Sequence, residues 1–228
     1  MSLQPGVTQT SSTLTRSVGF IGAGKVGTAL ARHLLAAGDR VLLAGSGDPF
    51  LTQLVADTVA PGAEAVWPAE AAASDVVVLA LPLGRIAELD PAWFDGRIVV
   101  DATNHWESID GHIDGLHDDA AGTSAWIARR PPGARLVKAF GHLGYHDLDG
   151  LSRPAGHPER VALAAAGDDE DAVDVVAALI DRAGFDPVPL TPLAAGTAWQ
   201  PGTPAFGRAV DAETLRRLVA PAPEQRSA

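Results

Sequence analysis

Val18-Gly-Phe-Ile-Gly-Ala-Gly-Lys-Val-Gly27 decides the fold, together with its continuation Thr28-Ala-Leu-Ala-Arg-His-Leu-Leu-Ala-Ala37. The apolar run predicts a buried strand, Gly22-x-Gly24-x-x-Gly27 a tight turn, and the continuation a helix. That order is what holding a dinucleotide pyrophosphate requires. Gly22 permits the turn, Gly24 lets the main chain approach the phosphates, and Gly27 lets the helix pack closely on its strand. The helix N-terminus then turns unpaired N–H groups and a partial positive charge toward the anion. Ala23, Lys25 and Val26 lie between the glycines and are read with them as cofactor-binding positions.

Outward from this unit, strand-like and helix-like patterns alternate. Arg40-Val-Leu-Leu-Ala44 reads as a second buried strand, and Asp48-Pro49 as a helix cap followed by a first-turn proline. The helix they open carries Leu51, Leu54 and Val55 on one face, at the spacing of an amphipathic helix. Residues 64–67 predict a short strand and 68–73 a helical turn. Residues 75–81 and 97–102 are apolar enough for strands covered on both faces. A long polar loop over 103–121 carries His105, His112 and His117. A short helix is expected at 124–129, then strands at 134–140 and 161–166. A helix over 169–183 with Asp168 at its cap follows, then a last strand at 185–190 and short helices at 193–199 and 211–218. The prediction is an α/β fold of Rossmann type. Its doubly wound, mostly parallel sheet has helices on both faces and a small α/β C-terminal extension. Residues 1–16 are expected to be a flexible segment, 17–140 the NAD(P)-binding domain and 141–228 a smaller part covering the substrate.

Composition narrows the function. With 17 basic against 28 acidic residues, the formal net charge is −11. A surface that negative repels phosphate backbones and anionic lipids, which argues against nucleic-acid and membrane partners. No apolar stretch reaches the roughly 20 residues that span a bilayer. The Ser/Thr-rich start lacks the apolar stretch of a secretion signal, so a cytoplasmic location is expected. There are no cysteines. Disulfides, thiolate metal sites and a cysteine nucleophile are therefore excluded. The apolar tail permits a homodimer.

The strand ends supply the remaining site positions. The second strand runs into Gly45-Ser46-Gly47 with no carboxylate before Asp48, whose expected task is capping. Enzymes preferring NAD place Asp or Glu there to bind the ribose hydroxyls, so NADP(H) is expected over NAD(H). Ser46 and nearby N–H groups are the available partners; no arginine follows to clamp the extra phosphate. Leu81-Pro82 and Thr103-Asn104 fall where the sheet edge would meet the pyrophosphate and nicotinamide. Ordinary turn chemistry would also explain them.

Taken together, these segments resemble the coenzyme F420-dependent family of NADP oxidoreductases and their dinucleotide-binding relatives. The resemblance spans nearly the whole chain. It rests on Gly22-Ala-Gly-Lys-Val-Gly27, Val76-Val-Val-Leu-Ala-Leu-Pro82, Ile98-Val-Val-Asp-Ala-Thr-Asn104 and Leu136-Val-Lys-Ala-Phe140. Further matches are Ala164-Ala-Ala-Gly-Asp-Asp169, Gly184-Phe-Asp-Pro-Val188 and Pro192-Leu-Ala-Ala-Gly196. It implies a nicotinamide cofactor in the first domain and a second redox partner, coenzyme F420 or a flavin, stacked over it. Hydride then passes directly between two rings, a reaction that depends on contact and exclusion of water rather than on a triad. Two positions depart from the family pattern. Ser46-Gly47 stands where members have Ser-Arg, which bears on NADP preference. Gly141-His142-Leu143 stands where they have Asn-Thr-Ile or His-Thr-Ile, which bears on the second substrate.

Other residues invite chemistry. His142 and His146 are four apart and could share a helical face, but no third metal ligand opposes them. No metal site is expected, and His142 is kept as a candidate contact to the redox substrate. Lys138 is either a catalytic amine or a structural ion-pair partner. Asp168 to Asp171 stabilise a helix N-terminus more simply than they hold a metal. Trp199 and Phe206 either cover a planar ring or pack as core. The leading expectation is an oxidoreductase moving hydride between NADP(H) and a deazaflavin or flavin-like small molecule. The alternative is a non-catalytic NADP(H)-sensing protein of the same fold. A hydroxyacid dehydrogenase is disfavoured, since no lysine follows Lys138.

Overall fold

The computed structural model describes residues 16–116, 122–131 and 133–220. The expected N-terminal segment, apart from Arg16, and His117 lie outside the described residues. Eight strands form one sheet. They are β1 (Ser17–Ile21), β2 (Arg40–Ala44), β3 (Glu64–Ala65), β4 (Val76–Leu79), β5 (Ile98–Asp101), β6 (Arg135–Ala139), β7 (Ala162–Gly167) and β8 (Asp186–Leu190). Their order is β3-β2-β1-β4-β5-β6-β7-β8. The first six are parallel, β7 runs antiparallel to β6, and β8 is parallel to β7. This is the Rossmann-type, doubly wound α/β fold, its sheet extended by two C-terminal strands.

Strand alternation divides the core in two, because successive side chains point to opposite faces. Val18, Phe20, Val76, Val78, Val100 and Val137 meet α1 (Lys25–Ala36), α6 (Tyr145–Gly150) and α7 (Glu170–Arg182) through Leu30, Leu34, Leu148, Val176 and Ile180. Ile21, Val77, Leu79, Val99 and Leu136 meet α3 (Pro68–Ala72) and α5 (Gly122–Ala128) on the other face, and the short α4 (Glu107–Asp110) lies in the connection between β5 and α5. Beside them, the alanines of β7 leave room for Trp199, Leu215 and Val219, the last two from α8 (Ala212–Val219). Trp199 is wholly buried there, so it belongs to the core.

Two local expectations need completion or correction. The helix α2 (Pro49–Val59) is capped by Asp48 as expected, with Asp48 Oδ1 accepting from the Phe50 N–H at 2.8 Å. Its apolar stripe, however, points to solvent: Phe50, Leu51, Leu54 and Val55 are each between 48% and 69% exposed. The small residues Thr52 and Ala56 make the buried contact instead. Thr52 comes so close to Gly45 that a side chain there would collide with its hydroxyl. The sheet ends beside α2 in the two-residue β3, leaving nothing for the large side chains to pack on. The second correction concerns α7, whose cap is Asp169, accepting from the Ala172 N–H at 3.0 Å. Asp168 turns away and accepts from the Leu193 N–H at 2.9 Å.

Candidate functional site

The carboxyl ends of β1, β2, β4, β5 and β6 bring the sequence-predicted residues to one edge of the sheet. Gly22 has φ +124°, a conformation that side chains disfavour, and any Cβ on it would collide with the Ala80 carbonyl. Its N–H donates to the Ala44 carbonyl at 2.8 Å, tying the turn to the end of β2. A Cβ on Gly27 would strike the Gly22 carbonyl, so α1 can leave the turn this closely only with glycine. Gly24 differs from both. It is exposed, its φ is an ordinary −79°, and a Cβ there would meet nothing within 4 Å. The main chain is therefore bare at the N-terminus of α1, where no side chain caps the helix. A pyrophosphate fits such a cradle, because the first-turn N–H groups supply the donors.

On one side of this turn, Ser46 and Gly47 are exposed and a Cβ on Gly47 would also meet open space. Asp48 is committed to its capping bond. On the other side, the Ala80 N–H donates to the Ile21 carbonyl at 2.9 Å, and Leu81 and Pro82 follow at the rim. Thr103 is buried and Asn104 half-buried. Asn104 Nδ2 donates to the Gly141 carbonyl at 2.6 Å, joining the loops that follow β5 and β6.

Below these loops lies a group of polar side chains that sequence spacing did not reveal as a unit. The Asp101 carboxylate accepts from the Thr103 N–H at 2.8 Å, the Thr103 hydroxyl at 2.7 Å and the Ser124 hydroxyl at 2.6 Å. Lys138 completes it with an ion pair to Asp101 and a bond to the Thr103 carbonyl. Of the two readings of Lys138, the structural one holds: its amine faces the floor of the site, with no exposure.

Phe140, buried at the end of β6, has φ +60°. This reverses the chain direction and sends His142 inward. His142 is wholly buried, and neither ring nitrogen reaches hydrogen-bond geometry. Burial pushes its imidazole down to about 4, opposed in part by the nearby Ala162 backbone. Because α6 begins only at Tyr145, His142 lies outside the helix, while His146 is exposed on it. The two do not share a helical face. Among the described residues no cluster of three His, Asp or Glu could hold a metal ion. His105 is half-buried against the Gly111 carbonyl, and His112 is exposed beside Asp114.

Tyr145 is the site residue that sequence reasoning missed. It is half-buried, and its hydroxyl accepts from Lys25 Nζ at 3.0 Å across the glycine turn. The only signal available was that the chain has a single tyrosine. Phe206 packs edge-on against the exposed Trp106 at 5.9 Å, beyond the end of β5.

A bare glycine turn at the first crossover of a Rossmann sheet is the arrangement a dinucleotide-binding site requires. The family model for NADP oxidoreductases, coenzyme F420-dependent, matches residues 17–105. A hypothetical protein from Sinorhizobium meliloti is 32% identical, with a TM-score of 0.75 over 86% of this chain and 95% of that one. An F420-dependent NADP-reductase candidate from Arthrobacter sp. is 23% identical, with a TM-score of 0.63 over 79% and 86%. An imine reductase from Pseudomonas sp. is 20% identical, with a TM-score of 0.57 over 81% of this chain and 59% of that one. The last two likenesses speak for the fold. No curated protein matches the chain. Residues 17–105 therefore carry the pattern of the coenzyme F420-dependent NADP oxidoreductase family, which supports an NAD(P)-dependent oxidoreductase. No helix among the described residues is long and apolar enough to cross a membrane.

Proposed function

We propose that this protein moves hydride between NADP(H), preferred over NAD(H), and a deazaflavin or flavin-like small molecule. The observation that carries the reading is the open main chain at Gly24, bounded by the loops that follow β2, β4 and β5. When bound, the dinucleotide supplies a hydride at its nicotinamide ring. Gly22 to Gly27 would hold the phosphates through main-chain N–H groups. Ser46 and Gly47 would face the adenosine ribose, where the lack of a free carboxylate leaves room for a 2′-phosphate. Leu81, Pro82, Thr103 and Asn104 would border the nicotinamide. Residues 17–140 thus hold the nucleotide, and 141–228 cover the second substrate and exclude water.

A second reading, a non-catalytic NADP(H) sensor, draws support from one observation. Where family members carry a polar side chain after β6, this chain has Gly141 and then a His142 buried away from the edge. The two readings are separated by titrating the protein with NADPH and NADH, then following NADPH absorbance with coenzyme F420, flavins and ferric chelates in turn. Consumption dependent on one acceptor supports the oxidoreductase reaction. Tight binding with no acceptor turned over supports the sensor.

A further inference from the structure

On the reading above, an anionic nucleotide is held by an acidic protein. Its net charge is −11, its second strand is followed by no arginine, and it has only two lysines. Lys138 is committed to Asp101 in the core. Lys25 is the other, and it is the first residue of α1, next to the bare Gly24. An exposed lysine normally samples many rotamers, so fixing it on a phosphate offsets part of the Coulomb gain. Here it is already fixed. Its ammonium donates to the Tyr145 hydroxyl at 3.0 Å and lies 4.6 Å from the centre of the Tyr145 ring. These two distances place Nζ at the hydroxyl edge of the ring, so the hydrogen bond, with the ring edge beside it, holds Lys25 in place.

Tyr145 is itself anchored to α1. Residues of α6 further along bind the same helix: Asp149 accepts from Arg32, and the Leu148 carbonyl lies 2.8 Å from His33 Nε2. The His146 ring packs against Tyr145 at 4.0 Å. The phenol therefore keeps a set position relative to the glycine turn. Lys25 gives it one N–H, and its other two remain to meet an anion.

We infer that Tyr145 is a positioning residue for the cofactor: it presents the Lys25 ammonium to the nucleotide phosphates. This rests on the dinucleotide reading above and adds to it a part played by α6. It sets apart a residue acting through Lys25 from one that merely braces two helices.

The test is calorimetric titration of the full chain with NADPH at two salt concentrations, with thermal unfolding measured alongside. Lys25→Gln is expected to weaken binding by about tenfold and to flatten its salt dependence. Tyr145→Phe keeps the ring and should lose about threefold, while Tyr145→Ala should lose about tenfold. The decisive variant is Lys25→Gln combined with Tyr145→Phe, which should bind no more weakly than Lys25→Gln alone. If the two losses multiply, if the Tyr145 variants bind like wild type, or if only Tm falls, the inference is overturned. Failure of wild-type protein to bind either NADPH or NADH would instead overturn the nucleotide reading itself.

Discussion

The Lys138 ammonium and the Asp101 carboxylate lie 3.1 Å apart, on adjacent parallel strands, with neither side chain exposed to solvent. A buried charge pair is tolerated when further hydrogen bonds take up the lone pairs and protons it leaves over. Asp101 has Thr103 and Ser124, and Lys138 has the Thr103 carbonyl. The pair thereby fixes the loop that carries Thr103 and Asn104 to the rim. Lys138→Met should lower the unfolding free energy by about 3–5 kcal/mol, since it leaves a buried carboxylate unpaired. Combining it with Asp101→Asn should return part of that loss. Urea unfolding checks both, and a single-variant loss below about 1 kcal/mol would count against the buried pair.

His142 makes acid stability predictable. Its folded pKa of about 4 lies below the unfolded value of about 6.5, so the native state holds it neutral. As pH falls below 6.5 the unfolded chain takes up a proton that the folded chain refuses, and stability drops until about pH 4. Below that both states are protonated and this contribution is constant. The difference is of order 3 kcal/mol. His142→Met should remove its share of that slope, leaving the share of His33, whose pKa burial also lowers. Asp169, held down to about 2 by Arg135, titrates mainly below this window. Unfolding curves at pH 7, 5 and 4 for both proteins decide it; parallel loss in the two would exclude His142 as the cause.

The exposed stripe on α2 gives a third expectation. Leu51→Gln and Leu54→Gln should each change the unfolding free energy by less than about 0.5 kcal/mol, because neither side chain leaves a cavity. Ala56→Leu, by contrast, must force a larger side chain into a site with no exposure and should cost about 1–3 kcal/mol. Reversed magnitudes would mean that α2 sits on the sheet the other way round.

Gly27→Val should be far more damaging to folding than any change at Gly24. Its Cβ has no room beside the Gly22 carbonyl, and backbone has to move to admit it. A loss of more than about 3 kcal/mol is expected. A Gly27→Val protein as stable as wild type would show that α1 does not leave the turn so closely.

What could be read from the residues and what could not divide along physical lines. The glycine turn, the strands and the Asp48 cap were legible because each depends on a few neighbours in sequence. Leu51, Leu54 and Val55 share one face, as their spacing says, but that face meets solvent. Their spacing reports that a helix is two-faced, while which face meets the sheet depends on how far the sheet extends. The cap of α7 shifted by one residue because Asp168 and Asp169 offer the same chemistry, and only the position of Leu193 separates them. Asp101 and Lys138 could be named as strand-end residues, but their union needs the β5–β6 register. Tyr145 gave almost no signal: its helix has six residues, and its partner Lys25 lies 120 positions away.

Gly24→Val offers the most direct test that a nucleotide rests on the turn between β1 and α1. The site is open, and the backbone there suits any residue, so the variant should fold with a Tm close to wild type. Its side chain would nevertheless fill the space that the phosphates need. NADPH titration should show affinity reduced by about a hundredfold or more in a protein that unfolds normally. Undiminished NADPH affinity in that folded variant would contradict the assignment.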